Sequence, residues 1–201
     1  LMIMANGIVP DVEANGHRRW VQTPYLDRMQ LGGMRLANFY ACAPVAGPAA
    51  IGMFTGCYPQ RLGVQAAMAA SHRRPEWACM ELSLSSIFES AGYATTHVKA
   101  PPFDSQEAYR CMDIKRRKPF FCCLELTEAS LSELERCVGC MIREIENRRI
   151  AEKTFVFFYA CGGPQKHAGL RECRSTLWEG GLKAQAIAYW PEHIQIGRAH
   201  V

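Results

Sequence analysis

Two unbroken apolar runs, Phe120-Phe-Cys-Cys-Leu124 and Phe155-Val-Phe-Phe-Tyr159, flank a stretch whose apolar residues recur every three or four positions. That stretch places Leu131, Leu134, Val138, Met141, Ile142 and Ile145 on one face of a helix. A strand that is apolar at every position must be covered on both sides. An amphipathic helix between two such strands supplies the cover and the crossover connection. The pattern therefore predicts an α/β fold with a largely parallel sheet. Ser130 followed by Glu133 is a capping-box signature and sets the start of the helix.

The preceding chain continues the alternation. Leu1-Met-Ile-Met-Ala5 reads as a strand. Thr23-Pro24 reads as an N-cap with proline at the first helical position, and Gly32-Gly33 stops that helix. Leu36 to Tyr40 is extended, and Gly47-Pro48 through Gly56 is a turn leading into a helix. Leu82, Leu84, Ile87 and Phe88 form a helix ended by Gly92, and Ala94 to Val98 forms a strand. In sheets of this kind ligands bind at the carboxyl ends of the strands, so the chemistry is expected there.

Composition narrows the class. With 49% hydrophobic and 21% charged residues, the 201-residue chain is globular rather than disordered or fibrous. A net charge of +4 comes from scattered residues, and only Lys115-Arg-Arg-Lys118 forms a run, which reads as a solvated loop. No nucleic-acid partner is expected. No apolar stretch reaches the roughly 18 residues of a membrane span, and no basic segment followed by a long apolar one marks a leader. The ten cysteines do not space as a disulfide framework or zinc ribbon. The nearest pattern, Cys137-Val-Gly-Cys140, falls inside the predicted helix and has no second pair, so most cysteines read as small buried hydrophobes.

Three stretches, in order, resemble the sulfatase family. They are Gln22-Thr-Pro-Tyr-Leu-Asp-Arg-Met29 with Ala37-Asn-Phe-Tyr-Ala41; Ala43 to Ala50 with Phe54-Thr-Gly-Cys-Tyr-Pro-Gln-Arg61-Leu-Gly-Val64; and Ser175-Thr-Leu-Trp-Glu-Gly-Gly181 with Ile187-Ala-Tyr-Trp-Pro191. Ile87 to Tyr93 and Lys118-Pro-Phe-Phe121 add to the match. The resemblance implies an alkaline-phosphatase-like α/β fold: a central, mostly parallel sheet with helices on both faces, here incomplete at both ends. It also implies an ancestry in sulfate-ester hydrolysis with calcium and formylglycine, and a sulfated small molecule or glycan as partner. Such proteins are often secreted, periplasmic or lysosomal.

The same resemblance locates the functional positions, and few of them keep their chemistry. The cysteine that becomes formylglycine aligns with Ala46, and the arginine of that motif with Ala50. Cys42 and Cys57 flank the motif outside its context. A methyl group has no lone pair with which to attack sulfur or phosphorus. The metal-binding Asp-Asp after the first strand aligns with Asn6-Gly7, and the Asp-Asn-Gly after the later strand with Ala160-Cys161-Gly162. Calcium wants six to eight oxygens, several of them anionic, and this set does not supply them. Lys99 is a candidate stand-in for the family lysine, a lost histidine falls at Ser130, and Arg174 retains a positive charge. No cofactor is expected. The reading is a pseudoenzyme or decayed gene, with a non-catalytic binding partner of sulfated ligands or of active sulfatases as the alternative. A third reading is a hydrolase with a relocated site around His167, Cys161 and Glu128.

Other candidates have blander explanations. His167, Cys161 and Cys173 suggest a metal site only by proximity in sequence, Asp11 and Glu13 read as exposed loop charges, and Trp178-Glu-Gly-Gly181 as a structural turn. The opening directly into a strand suggests that residues precede Leu1. The last six residues, Ile-Gly-Arg-Ala-His-Val, are the translation of ATC-GGA-AGA-GCA-CAC-GTC, a stretch of a common sequencing adapter. Residues 1–195 are thus expected to be a partial sulfatase-like domain and 196–201 a non-native tail. Strand edges that a longer chain would cover predict poor solubility for the isolated one.

Overall fold

The computed structural model describes residues 1–6, 22–64, 83–100, 106, 109–110, 112, 118–127, 130–161, 170–194 and 197–199. Seven strands form one sheet: β1 Met2–Asn6, β2 Met34–Tyr40, β3 Ala94–Ala100, β4 Phe120–Thr127, β5 Val156–Cys161, β6 Lys183–Tyr189 and β7 Gly197–Ala199. Their order across the sheet is β3-β4-β1-β5-β6-β2-β7. Pairings are parallel throughout except around β6, which runs antiparallel to both β5 and β2. Helices with bounds among the described residues are α1 Pro24–Leu31, α2 Ala46–Thr55, α3 Leu84–Ser90, α4 Leu131–Asn147 and the short α5 Glu179–Leu182.

The two-residue period of a strand divides each central strand between two cores. On one face Ile3, Ala5, Leu124, Leu126 and Phe158 pack with Leu26 and Met29 of α1 and with Leu134, Val138, Met141 and Ile142 of α4. On the other, Met2, Met4, Cys123, Tyr159 and Cys161 pack with Ala46, Ala49 and Ala50 of α2. This two-sided burial is what the apolar runs require. It places helices on both faces, as the resemblance implies. Most of the predicted stripe of α4 is buried, and the capping box is formed by Ser130 and Glu133.

Boundaries differ from expectation in instructive places. The stretch read as a turn before a helix is helical from Ala46 onward, and Gly56 ends it with φ of 66°, a conformation that favours glycine. Thr23 does not cap α1; its hydroxyl donates to Asp27 Oδ1 at 3.1 Å. The amide N–H groups at the start of that helix go instead to Glu135 of α4. Tyr25 N–H donates to Oε1 and Leu26 N–H donates to Oε2 at 3.4 Å. Strand β4 runs three residues beyond its apolar core, to Thr127. Residues 197–199 lie parallel to Met34–Leu36 at the sheet edge.

Among the described residues, no helix is long and apolar enough to cross a membrane.

Candidate functional site

The carboxyl ends of β1, β3, β4 and β5 bring together the polar residues of the α2 face. Register fixes the arrangement: Asn6 lies opposite Thr127 of β4 and Cys161 of β5, and Lys99 lies opposite Glu125. Alternation puts His97, Lys99, Glu125, Thr127, Asn6 and Cys161 on one side of the sheet. Glu125 is the hub. Its Oε1 accepts from Asn6 Nδ2 at 2.7 Å, His97 Nε2 lies 2.9 Å from Oε2, and Lys99 Nζ lies 4.0 Å from Oε2. Asn6 Nδ2 also reaches Thr127 Oγ1 at 3.4 Å, whereas the buried Asn6 Oδ1 has no partner among the described residues. The ring of Phe54 lies 5.3 Å from that of His97.

Hydrogen bonding to His97 holds the Glu125 carboxyl below its ordinary range, with Lys99 and Asn6 adding to the effect against the opposing influence of burial. Neither His97 nor Glu125 stands out in the sequence as a site residue. The available signal was a lone carboxylate directly after the apolar run of β4, two positions from Cys123 and two from Thr127.

The residues that the resemblance aligns with functional positions lie as follows. Ala46 is the first residue of α2, buried against Cys161 and its neighbours, and Ala50 lies one turn further in the same core. Val45, the N-cap, gives no side-chain hydrogen bond. Cys42 sits under the helix, its Sγ 3.8 Å from the carbonyl of Ala49, and burial raises its thiol pKa. Ala160 faces the opposite core from Cys161. Ser130 is absorbed in capping: its Oγ accepts from Glu133 N–H at 3.2 Å, and its own N–H donates to Glu133 Oε2 at 2.7 Å. The Arg174 segment packs beside α2, because Ser175 N–H donates to Pro44 O at 3.1 Å. Trp178 stacks with Arg171, whose guanidinium carbon is 3.3 Å from the ring centroid.

Among the described residues, the donor set does not fit calcium. The strand ends contribute the amide of Asn6, the methyl of Ala160 and the thiol of Cys161, which burial holds in its protonated form. The carboxylate at hand, Glu125, is already paired. Among the described residues, no three His, Cys, Asp or Glu side chains converge as a metal site. The eight described cysteines are free thiols. Gly7, Asp11, Glu13, Lys115 to Arg117, Glu128, Gly162 and His167 lie outside the described residues.

A largely parallel sheet with one reversed strand, helices on both faces and its polar cluster at the strand carboxyl ends defines an alkaline-phosphatase-like α/β domain. The match to solved structures agrees. That of Ps i-CgsB with k-i-k-neocarrahexaose superposes with a TM-score of 0.79 at 15% identity, covering 98% of this chain and 66% of that one. A protein bound to its substrate D-glucosamine-2-N,6-O-disulfate gives 0.75 at 11% identity over 100% of this chain and 73% of that one. The sulfatase family model matches residues 2–115, and the chain belongs to the sulfatase family. It is 33% identical to human arylsulfatase A over 116 residues, which are 54% of this chain and 21% of that protein. To the steryl-sulfatase of Rattus norvegicus it is 37% identical over 75 residues, 37% of this chain and 12% of that protein. The chain therefore spans about a fifth or less of the length of these relatives.

Proposed function

We propose that this sulfatase-family domain does not hydrolyse sulfate esters. The reading is carried by the residue that the resemblance aligns with the family nucleophile: Ala46, a buried methyl at the head of α2. Covalent catalysis requires a lone pair there, and no side-chain rearrangement of alanine creates one. The lack of fit to calcium points the same way, since the family reaction uses the metal to bind the ester. Turnover of 4-nitrophenyl sulfate and 4-nitrophenyl phosphate, measured with added calcium, should not exceed that of buffer. Turnover above buffer that vanishes on substituting Cys161 or His167 would favour a relocated hydrolytic site. Cys161 is an unpromising nucleophile for it, because burial pushes its thiol well above the ordinary range.

A second reading, retention of a sulfated ligand without turnover, is favoured by the Ser175–Pro44 hydrogen bond. It seats the backbone of the Arg174 segment beside the amino end of α2, and in this reading the guanidinium and the helix N-terminus bind the sulfate together. Titration with a sulfated disaccharide tests it: Arg174→Ala should weaken binding at least tenfold, whereas equal binding by the variant would dismiss it.

A further inference from the structure

A cavity of about 930 Å³ opens at the end of the sheet opposite Asn6 and Cys161. Met2, Phe120 and Phe157 at the amino ends of β1, β4 and β5, Trp190 just past β6, and Leu84 and Phe88 of α3 bound it. Its size lies in the upper part of the range of small-molecule sites, about 300–1,000 Å³. Aromatic contacts hold its walls. Phe88 stacks on Phe121 with ring centroids 4.5 Å apart and lies 4.9 Å from Tyr93. On the β5 side Phe155 lies 6.2 Å from Phe157 and 5.8 Å from Trp190, whose Nε1–H donates to Glu152 O at 2.7 Å. No residue of α3 is fully buried, so its apolar side chains are only partly covered by the protein itself. Walls fixed before a ligand arrives lower the cost of binding it.

The charge in this lining has one sign. Met2 lies beside both Cys123 and Phe157, so Lys118 and Lys153, which precede β4 and β5, stand at the same end of the sheet. With β1 between them, their strands are about 10 Å apart. Both lysines are exposed, and among the described residues neither is in an ion pair. None of the described lining residues is acidic.

We propose that this cavity binds a long-chain anionic amphiphile, a fatty acid being the simplest, with its chain between the aromatic walls and its head held by Lys118 and Lys153. Charge complementarity selects this class: a cationic head would be repelled, and a neutral one would leave both lysines unused. An ammonium on a flexible stem acts as a point charge and meets a carboxylate without a fixed geometry. The unbranched side chains of Met53 and Met112, also in the lining, can adjust to the chain. Met53 lies near the end of α2 away from Ala46, so the inference stands or falls separately from the proposed function.

The test is displacement of the fluorescent probe dansylundecanoate from the full chain at mildly alkaline pH, with every ligand below its micellar concentration. Laurate should displace the probe saturably and bind about tenfold or more tightly than octanoate, since each buried methylene is worth about fourfold. Dodecanol should bind about fivefold or more weakly than laurate, and dodecyltrimethylammonium more weakly still. Lys118→Met combined with Lys153→Met should weaken laurate about fivefold or more and leave dodecanol unchanged. Both lysines are exposed, so the fold should survive the pair of substitutions, which circular dichroism checks. ω-Bromododecanoate should quench tryptophan emission, and Trp190→Phe should remove most of that quenching. Absence of saturable displacement, equal affinity for laurate and dodecanol, indifference to chain length, a folded lysine variant that binds laurate like wild type, or quenching unchanged without Trp190 would overturn the proposal. So would binding to phosphatidylglycerol vesicles that free laurate does not compete away, since that outcome means a charged surface rather than a cavity.

Discussion

Glu135, buried in the second turn of α4, accepts the backbone N–H groups of Tyr25 and Leu26 at the start of α1. The residue that reads as the cap, Thr23, is turned to Asp27 instead. An acidic group at a helix N-terminus satisfies orphan donors and faces the positive end of the helix dipole. Replacing it with leucine buries those donors without acceptors. Glu135→Leu should therefore cost about 2–4 kcal/mol, and Glu135→Gln, which keeps one acceptor oxygen, about 1 kcal/mol. Urea unfolding monitored by circular dichroism gives both values, and equal midpoints for leucine and glutamine would show the carboxylate to be incidental.

Among the described residues, Glu125 has its pKa held below the ordinary range by its hydrogen bond to His97, and Glu133 by the backbone N–H of Ser130. A carboxyl that is more acidic folded than unfolded binds fewer protons in the native state. Its stabilisation is complete above the unfolded value of about 4.3 and disappears as pH falls through the folded one. Stability should thus be flat near neutrality and decline below about pH 5, with Glu125→Gln flattening part of the decline. Unfolding midpoints from pH 7 to pH 3 test this, and a steeper acid decline in the variant would contradict it.

The thiols should divide by burial. Cys122, Cys123, Cys137 and Cys161 are buried, and the Cys137 thiol is pushed up to about 11 by desolvation. Cys123 and Cys161 are raised further, again chiefly by desolvation. Because the thiolate is the reacting form, these four should resist iodoacetamide until the chain unfolds. Of the eight described cysteines, the half-buried Cys57, Cys140 and Cys173 should be labelled first, with Cys42 slower because burial also raises its pKa. Peptide mapping by mass spectrometry after a short pulse reads the order, and early labelling of Cys161 would show that the α2 face opens.

At Gly33, between α1 and β2, a Cβ would press on the carbonyl oxygen of Ala188, sit 2.8 Å from that of Met29 and 3.1 Å from the Tyr189 Cα. These are backbone atoms of β6 and of α1, and they have no rotamer through which to yield. Gly33→Ala should cost about 1–3 kcal/mol, seen as a lowered thermal midpoint. A neutral substitution would show that β6 can slide relative to α1.

The alternation of apolar strands and one amphipathic helix made the α/β architecture legible, because burial on two faces leaves a direct imprint on composition at every position. For the site, the sequence offered only a resemblance, which aligns Ala46, Ala50 and Asn6 with family positions; the polar cluster around Glu125 was hidden. Glu125 finds His97 28 residues away and Asn6 119 residues away, and no local period encodes those meetings. The register of β3 on β4 and of β4 on β1 creates them. Glu135 was missed for a related reason: beside the apolar stripe of α4 it reads as a flank charge, and only the arrival of α1 buries it.

Restoring the missing motif should fail on packing before it fails on chemistry. Ala46 is buried at the first turn of α2, where a thiol adds one heavy atom, so Ala46→Cys should change stability by less than about 1.5 kcal/mol. Ala50 is 7% exposed within the core formed by Cys123, Tyr159 and Cys161. A guanidinium there meets apolar side chains and buried neutral thiols rather than a carboxylate, so Ala50→Arg should cost about 3–5 kcal/mol. The pair of substitutions should give no turnover of 4-nitrophenyl sulfate, even after coexpression with a formylglycine-generating enzyme, since Asn6, Ala160 and Cys161 still supply no anionic metal ligand. Thermal melting and a sulfatase assay on the two single variants and the double variant check each part. A double variant as stable as wild type, or one that turns over the ester, would mean that the α2 face keeps more of its ancestral geometry than its packing implies.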